Sequence, residues 1–288
     1  MIKRIAASLS FRAKANRKRI KRKFWALKDS FQPQGNSKYH RFVQELESCA
    51  GSLKGKRLLE IGSDSAGELL RECMSTAGVA SAVGVNPAGP RLDTGRIRIL
   101  DIDGRSLPFP DDSFDVIASL SVFEHVFALQ EVLDECHRVL MPGGVLLAEF
   151  GPIWSSCWGH HLWFYYGGEI VDWRNHPLPP YAHLLMERAE LESWCNSAWR
   201  DGELSRQIAE FVFDSPEQNR LFFSDYEDIA RASQFDVVFI CGVPDVPHPA
   251  GTPNSDYART FGQLQDRFPS KSGFGYHVAK MMLAKRHD

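Results

Sequence analysis

The sequence predicts an α/β fold, a doubly wound and mostly parallel sheet with helices on both faces and an aromatic-rich cap insertion. Three observations point there. Short runs rich in Val, Ile and Leu alternate with helical patterns, and continuous apolar strands of this kind belong to parallel sheets buried on both faces. The alternation stops after Phe150 and resumes at Phe223, so strands flank an insertion. Six of the seven tryptophans fall between Trp154 and Trp199, inside that insertion.

In order along the chain, "SKYHRFVQELESCA" predicts an amphipathic helix with Ser37 as its cap. Strands are expected at Arg57–Gly62, Ala80–Asn86, Arg96–Asp101, Phe114–Leu120 and Gly144–Phe150, with helices at Gly67–Ala77 and Val126–Leu140. "MPGG" closes the second helix, because proline and glycine do not continue it. Beyond the cap, about 151–222, "SDYEDIARAS" predicts a capped helix, and "FDVVFICG" and "GYHVAKMMLAK" two late strands. The polar, Pro- and Gly-rich stretch Gly242–Gly275 reads as a long loop. Seven strands and the cap make one domain over 37–288, preceded by an arm, 1–36.

The 288 residues, 43% of them hydrophobic, suffice for a packed core. No apolar run approaches the ~20 residues needed to span a bilayer, and the start lacks the pattern of a secretory signal, so a cytoplasmic protein is expected. The cysteines, Cys49, Cys73, Cys136, Cys157, Cys195 and Cys241, show no metal-ligand spacing and read as reduced, mostly buried thiols. No metal site is expected.

Charge is unevenly placed. Residues 1–28 hold eleven of the 34 Lys and Arg and no Asp or Glu, which leaves the remainder with 23 basic against 36 acidic residues. Ile2, Ile5, Leu9 and Ala13, then Ile20, Phe24 and Leu27, recur at helical spacing opposite a cationic face. Such an arm suits an anionic membrane surface, giving a peripheral location, and equally suits a solubilising tail. A mitochondrial presequence fits less well, since serine is sparse and the charges crowd into one block. The acidic body argues against a broad nucleic-acid face.

In open parallel sheets, ligands lie beyond the carboxyl ends of the strands, where the strand order reverses. That rule selects Glu60–Gly67, Asn86, Asp101–Asp103, Ser119–His125 and the loop after Phe150. The turn in "LLEIGSDSAGELL" carries little weight alone, since any tight strand-to-helix turn favours glycine. A nicotinamide dehydrogenase would also use such a turn, but it needs an acid after the next strand, where Asn86 stands.

"IRILDIDGRSLPFPDDSFDVIASLSVFEHV", followed by "ECHRVLMPGGVLLAEF", resembles the class I S-adenosylmethionine-dependent methyltransferases, particularly the small-molecule enzymes with LPFPD.SFD, EHV and RVL.PGG signatures. The resemblance covers about Lys54–Phe150, resumes weakly at Phe223–Gly242, and implies a Rossmann-like fold with S-adenosylmethionine as cofactor. It places Glu60 and the Gly62, Ser63 and Gly67 backbone against the methionine part. It puts Asn86 at the ribose, Asp103 and Gly104 at the adenine, and Ser119 beneath the reacting sulfonium.

Two positions depart from the pattern: Asp64 replaces a glycine, and Asn86 replaces an acid that accepts from both ribose hydroxyls. Asn still accepts, but without charge its bond is weaker, at a cost of about one to two kcal/mol. Methyl transfer to a hydroxyl also needs a base, for which His160 and His161 after the fifth strand, and His125 in "FEHV", are candidates. Each has a structural reading as well, the first two as members of an aromatic cap and His125 as the start of a helix. Trp154, Trp158 and Trp163 are candidate acceptor contacts, while Trp194 and Trp199 read as core. The resemblance implies methyl transfer without specifying a substrate; with the tryptophans and the basic arm, the expectation is O-methylation of a small-molecule or glycan- or lipid-linked acceptor. The opposing expectation is an inactive methyltransferase-like binding or scaffolding protein, with Asp64 and Asn86 as its marks.

Overall fold

The computed structural model describes residues 37–87, 89, 91–244 and 254–287; the basic arm, 1–36, lies outside the described residues. The described chain packs as two compact units. The first takes in the residues up to Ser119, with Glu131–Leu147 and those from Ala284 on; the second comprises Leu120–Gln130 and Ala148–Leu283.

In the first unit, α1 (Lys38–Ala50) starts where expected, with the Ser37 hydroxyl accepting the His40 N–H at 3.1 Å. Its buried face is Phe42, Val43 and Leu46, spaced three and four residues apart as a helix requires. β1 (Arg57–Ile61) pairs in parallel with β2 (Ser81–Val85) and with β5 (Phe114–Leu120), and β2 pairs in parallel with β4 (Ile97–Leu100). Leu58, Leu59, Val83 and Val85 are buried, the reason these strands read as unbroken apolar runs. Between β1 and β2, α2 (Glu68–Glu72) passes into a π-helical turn, Cys73–Ala77, that stops at Gly78 with φ +67°.

The sheet has eight strands rather than seven. β3 (Leu92–Asp93), only two residues long, runs antiparallel to β4 at the edge. With β6 (Leu140–Phe150), β9 (Asp236–Pro244) and β10 (Tyr276–Ala284), the order is β3-β4-β2-β1-β5-β6-β10-β9. The order reverses beside β1, the switch point at which ligand positions are expected.

Local boundaries moved for identifiable reasons. α3 spans Leu129–Val139, and Phe123–His125 ahead of it forms a 3-10 turn, so His125 does not start the helix. "MPGG" does end α3, but it belongs to β6, which begins before Gly144. The Gly143 N–H donates to Lys285 O at 2.8 Å, and the Lys285 N–H returns to Gly144 O at 3.0 Å.

In the second unit, β7 (Trp163–Tyr166) and β8 (Glu169–Asp172) form a hairpin closed by Gly167 and Gly168, both at positive φ, as a tight two-residue turn requires. The short helix α4 (Ala182–Leu185) follows, then α5 (Arg188–Trp199) and α6 (Gly202–Asp214). Leu162, Val171, Leu191 and Ile208 join hairpin and helices in one core, with Trp194 and Trp199 packed against it as expected. Trp158 is buried in a second core with Cys157 and Tyr181, so it is a packing residue.

α7 (Phe223–Ala232) is capped as expected, the Asp225 carboxylate accepting the Phe222 N–H at 2.9 Å. One expectation in this unit is corrected. The segment expected to be a long loop contains α8 (Asn254–Arg267). Phe261, Leu264 and Phe268, at helical spacing, pack into the second core, and this burial outweighs the polar composition around them.

Candidate functional site

β1 delivers Glu60, buried at 3% exposure, to the carboxyl end of the sheet. Burial, and next the nearby Glu60 charge, push the Cys73 thiol up to about 12. The turn that follows is left-handed at Gly62 (φ +83°) and Gly67 (φ +65°), and glycine is required at both. Gly62 and Ser63 donate their N–H groups to Val85 O at 2.8 and 3.2 Å, so the turn is tied to the end of β2. A side chain at Gly84 of β2 would place its Cβ 2.4 Å from Ser63 Cβ, so that glycine lets the turn settle.

The two departures from the glycine-and-acid pattern are parts of this turn. Asp64 is not left-handed. Its Oδ1 accepts the Ala66 and Glu68 N–H groups at 2.8 and 3.3 Å, capping the entry to α2, and its Oδ2 accepts the Tyr39 hydroxyl at 3.1 Å. Asn86, after β2, donates from Nδ2 to Ser63 O at 2.8 Å. Ser119, buried at the end of β5, donates to Ile61 O at 3.1 Å. Gly104 lies over the same strand end, where an added Cβ would stand 3.6 Å from Ile61 Cγ2. Glu60, Gly62, Ser63, Asn86, Gly104 and Ser119 therefore converge around one strand terminus.

Asp103 begins a second local assembly. The Arg105 guanidinium binds its carboxylate at 2.7 Å and holds it below the usual carboxylate range. The following "LPFPDD" loop is clamped from α3. Arg138 donates to Leu107 O, Phe109 O and Asp111 Oδ1, each at 2.8 Å, and to both oxygens of Glu135. Glu135 accepts the Leu107 N–H at 2.7 Å.

The three candidate bases lie in the second unit. His125 and His161 stand with ring centroids 5.2 Å apart. His125 Nδ1 bonds to Glu217 O, and its Nε2 lies 3.8 Å from Glu124 Oε1. His161 Nε2 bonds to Pro152 O at 2.7 Å. His160 is buried apart from this pair, its Nδ1 accepting the Leu162 N–H at 3.0 Å and its ring 5.6 Å from that of His183.

Several participants escaped the sequence reading. Glu124 is buried and accepts the Gly151 N–H at 3.1 Å, which links the ends of β5 and β6. Asn219 donates to Phe123 O at 2.7 Å and Val126 O at 3.0 Å, fixing the turn that carries His125. It also accepts the hydroxyl of Tyr226, whose pKa is raised well above the ordinary value by burial and then by Glu124. Glu124 had a signal in the "EHV" motif; Asn219 had none, since Phe123 and Val126, which it fixes, lie more than ninety positions away.

Comparison with known proteins agrees with this geometry. Residues 59–148 match the family described as "Methyltransferase domain". The demethylmenaquinone methyltransferase of Thermus thermophilus is 34% identical over 107 residues, 34% of this chain and 48% of that protein. The ubiquinone biosynthesis O-methyltransferase of Bordetella bronchiseptica is 31% identical over 109 residues, 34% of this chain and 44% of that protein. The chain thus spans about half the length of the curated relatives it matches. A chain of the complex between the Haloferax volcanii Trm112 methyltransferase activator and a methyltransferase shares the fold. It has a TM-score of 0.51 and 18% identity, over 92% of this chain and 96% of that one. The part of the chain over residues 59–148 is thus similar to methyltransferase domains.

Proposed function

We propose that the protein transfers a methyl group from S-adenosylmethionine to a hydroxyl oxygen of a small-molecule or glycan- or lipid-linked acceptor. The observation that carries this reading is the intact donor turn: Glu60 is buried at its base, glycine stands at both left-handed positions, and Asp64 and Asn86 brace it.

The residues present fit the cofactor. Glu60 would hold the ammonium, Asn86 the ribose and Asp103 the adenine amino group, while the glycines let the turn approach closely. When bound, S-adenosylmethionine supplies a methyl group on a positively charged sulfur, open to direct displacement. The chain's own tasks are alignment and removal of the hydroxyl proton. For the second task, the Nδ1 bond to Glu217 O orients His125, with the Glu124 carboxylate 3.8 Å from its Nε2. His161, beside it, is the second candidate base.

The relatives' names, which refer to ubiquinone and menaquinone chemistry and include an O-methyltransferase, support a ring-bearing, hydroxylated acceptor. The basic arm supports an acceptor met at an anionic membrane surface. Liposome co-sedimentation of the full chain against one starting at Asp29 tests that point, and equal recovery removes it. The rival, a binding module without turnover, draws support from Arg105, which already occupies Asp103. Calorimetric titration with S-adenosylmethionine and its demethylated product separates the two. Binding in the micromolar range, followed by methyl transfer, is expected; no binding up to millimolar concentration sinks the enzyme.

A further inference from the structure

The segment joining α6 to α7 is bonded closely to the turn that carries His125. Glu217 O meets His125 Nδ1, the Asn219 N–H donates to Glu124 O at 3.0 Å, and the Asn219 side chain bonds Phe123 O and Val126 O. Other polar side chains of the segment are engaged as well. Ser215 Oγ accepts the Glu217 N–H at 3.2 Å, and Arg220 donates to Phe213 O. Gln218, between the two anchors, is 6% exposed, and neither its Oε1 nor its Nε2 has a hydrogen-bond partner among the described residues.

A buried primary amide with donors and acceptor both unmet opposes folding, and Leu or Met of similar size would fill the space without that cost. Sequences retain such groups where they meet a ligand. We propose that Gln218 is an acceptor-binding residue, its side-chain amide recognising a hydroxylated small molecule beside the His125–His161 pair. An amide sets a donor and an acceptor side by side, which matches a group that both donates and accepts. Two adjacent hydroxyls on a ring fit best. The choice of a hydroxylated ring rests on the methyl-transfer function proposed above.

Catechol is the probe. The side-chain amide resonances of Gln218, identified by their disappearance in Gln218→Met, should shift when ¹⁵N-labelled full-length protein is titrated with catechol. Gln218→Met and Gln218→Leu should bind catechol at least about tenfold more weakly. Both should bind S-adenosylmethionine as the wild type does and melt at the same temperature or higher. A lower Tm in both variants would show an amide satisfied by buried water, a structural role, and would overturn the proposal. Unmoved Gln218 resonances, or unchanged catechol affinity in the variants, would overturn it too. Failure of the methyltransferase reading registers elsewhere, as absent S-adenosylmethionine binding while the Gln218 resonances still answer to catechol.

Discussion

The side-chain amide of Asn86 donates to the main-chain carbonyl of Ser63 at 2.8 Å, so the residue proposed to meet the ribose also holds the glycine turn in place. A carboxylate there would turn an acceptor oxygen toward another acceptor. The substitution that looks like damage in the sequence is, in the fold, a bond that the usual acid is unable to make.

Restoring the acid should therefore not restore a tighter site. Asn86→Asp is expected to lose about 1–3 kcal/mol of stability through the unmatched Ser63 carbonyl, with no gain in S-adenosylmethionine affinity. Urea denaturation and calorimetry on the same sample check both halves. Tighter binding in the variant would show that the Asn is a handicap after all.

Asp64 should behave as a helix cap. Asp64→Ala removes the acceptor for the Ala66 and Glu68 N–H groups and for the Tyr39 hydroxyl, and a loss of about 1 kcal/mol is expected. An unchanged denaturation midpoint would deny the cap any role.

Gly84 has no contact with a reacting group, yet its substitution should disable the donor site. In Gly84→Ala the new Cβ, 2.4 Å from Ser63 Cβ, forces the turn or the strand to move. A drop of tenfold or more in S-adenosylmethionine affinity is expected, alongside a stability loss of about 1–3 kcal/mol. Full affinity in a folded Gly84→Ala protein would mean that the turn does not contact the cofactor.

The clamp on the "LPFPDD" loop carries a pH signature. The hydrogen bond from Arg138 lowers the Glu135 pKa, so its contribution is fully present above the unfolded carboxylate value of ~4.3 and disappears as pH falls through the lowered folded value. Arg138→Ala should lower stability at neutral pH and flatten the acid limb of the stability curve, measured by denaturation from pH 7 to 3. An acid limb identical to the wild type would remove Glu135 from that role.

Thiol reactivity should sort by burial. None of the six cysteines, all among the described residues, is in a disulfide; Cys241 is exposed, and Cys73 and Cys195 are each pushed up to about 12, chiefly by burial. At pH 8 iodoacetamide should label Cys241 rapidly, and Cys73 and Cys195 only on unfolding, as read by peptide mass mapping. Rapid labelling of Cys73 in the folded protein would contradict the buried environment beside Glu60.

Strand and helix order, the glycine turn and the methyltransferase signatures were legible because each is local. Apolar runs, left-handed glycines and capping residues act on neighbours within a few positions, so Ser37, Gly62 and Gly67 declare themselves. What the neighbours do not encode stayed hidden. α8 exists because Phe261, Leu264 and Phe268 find a core supplied by other parts of the chain. The service of Asn86 to Ser63, the fit of Gly84 under the turn, the grip of Asn219 on Phe123 and the unmet amide of Gln218 are contacts or absences of contact across long stretches of chain. The sequence by itself determined the layered α/β plan and the resemblance to methyltransferases. Only the tertiary structure decided which polar groups meet, because a hydrogen bond depends on distance in space and not along the chain.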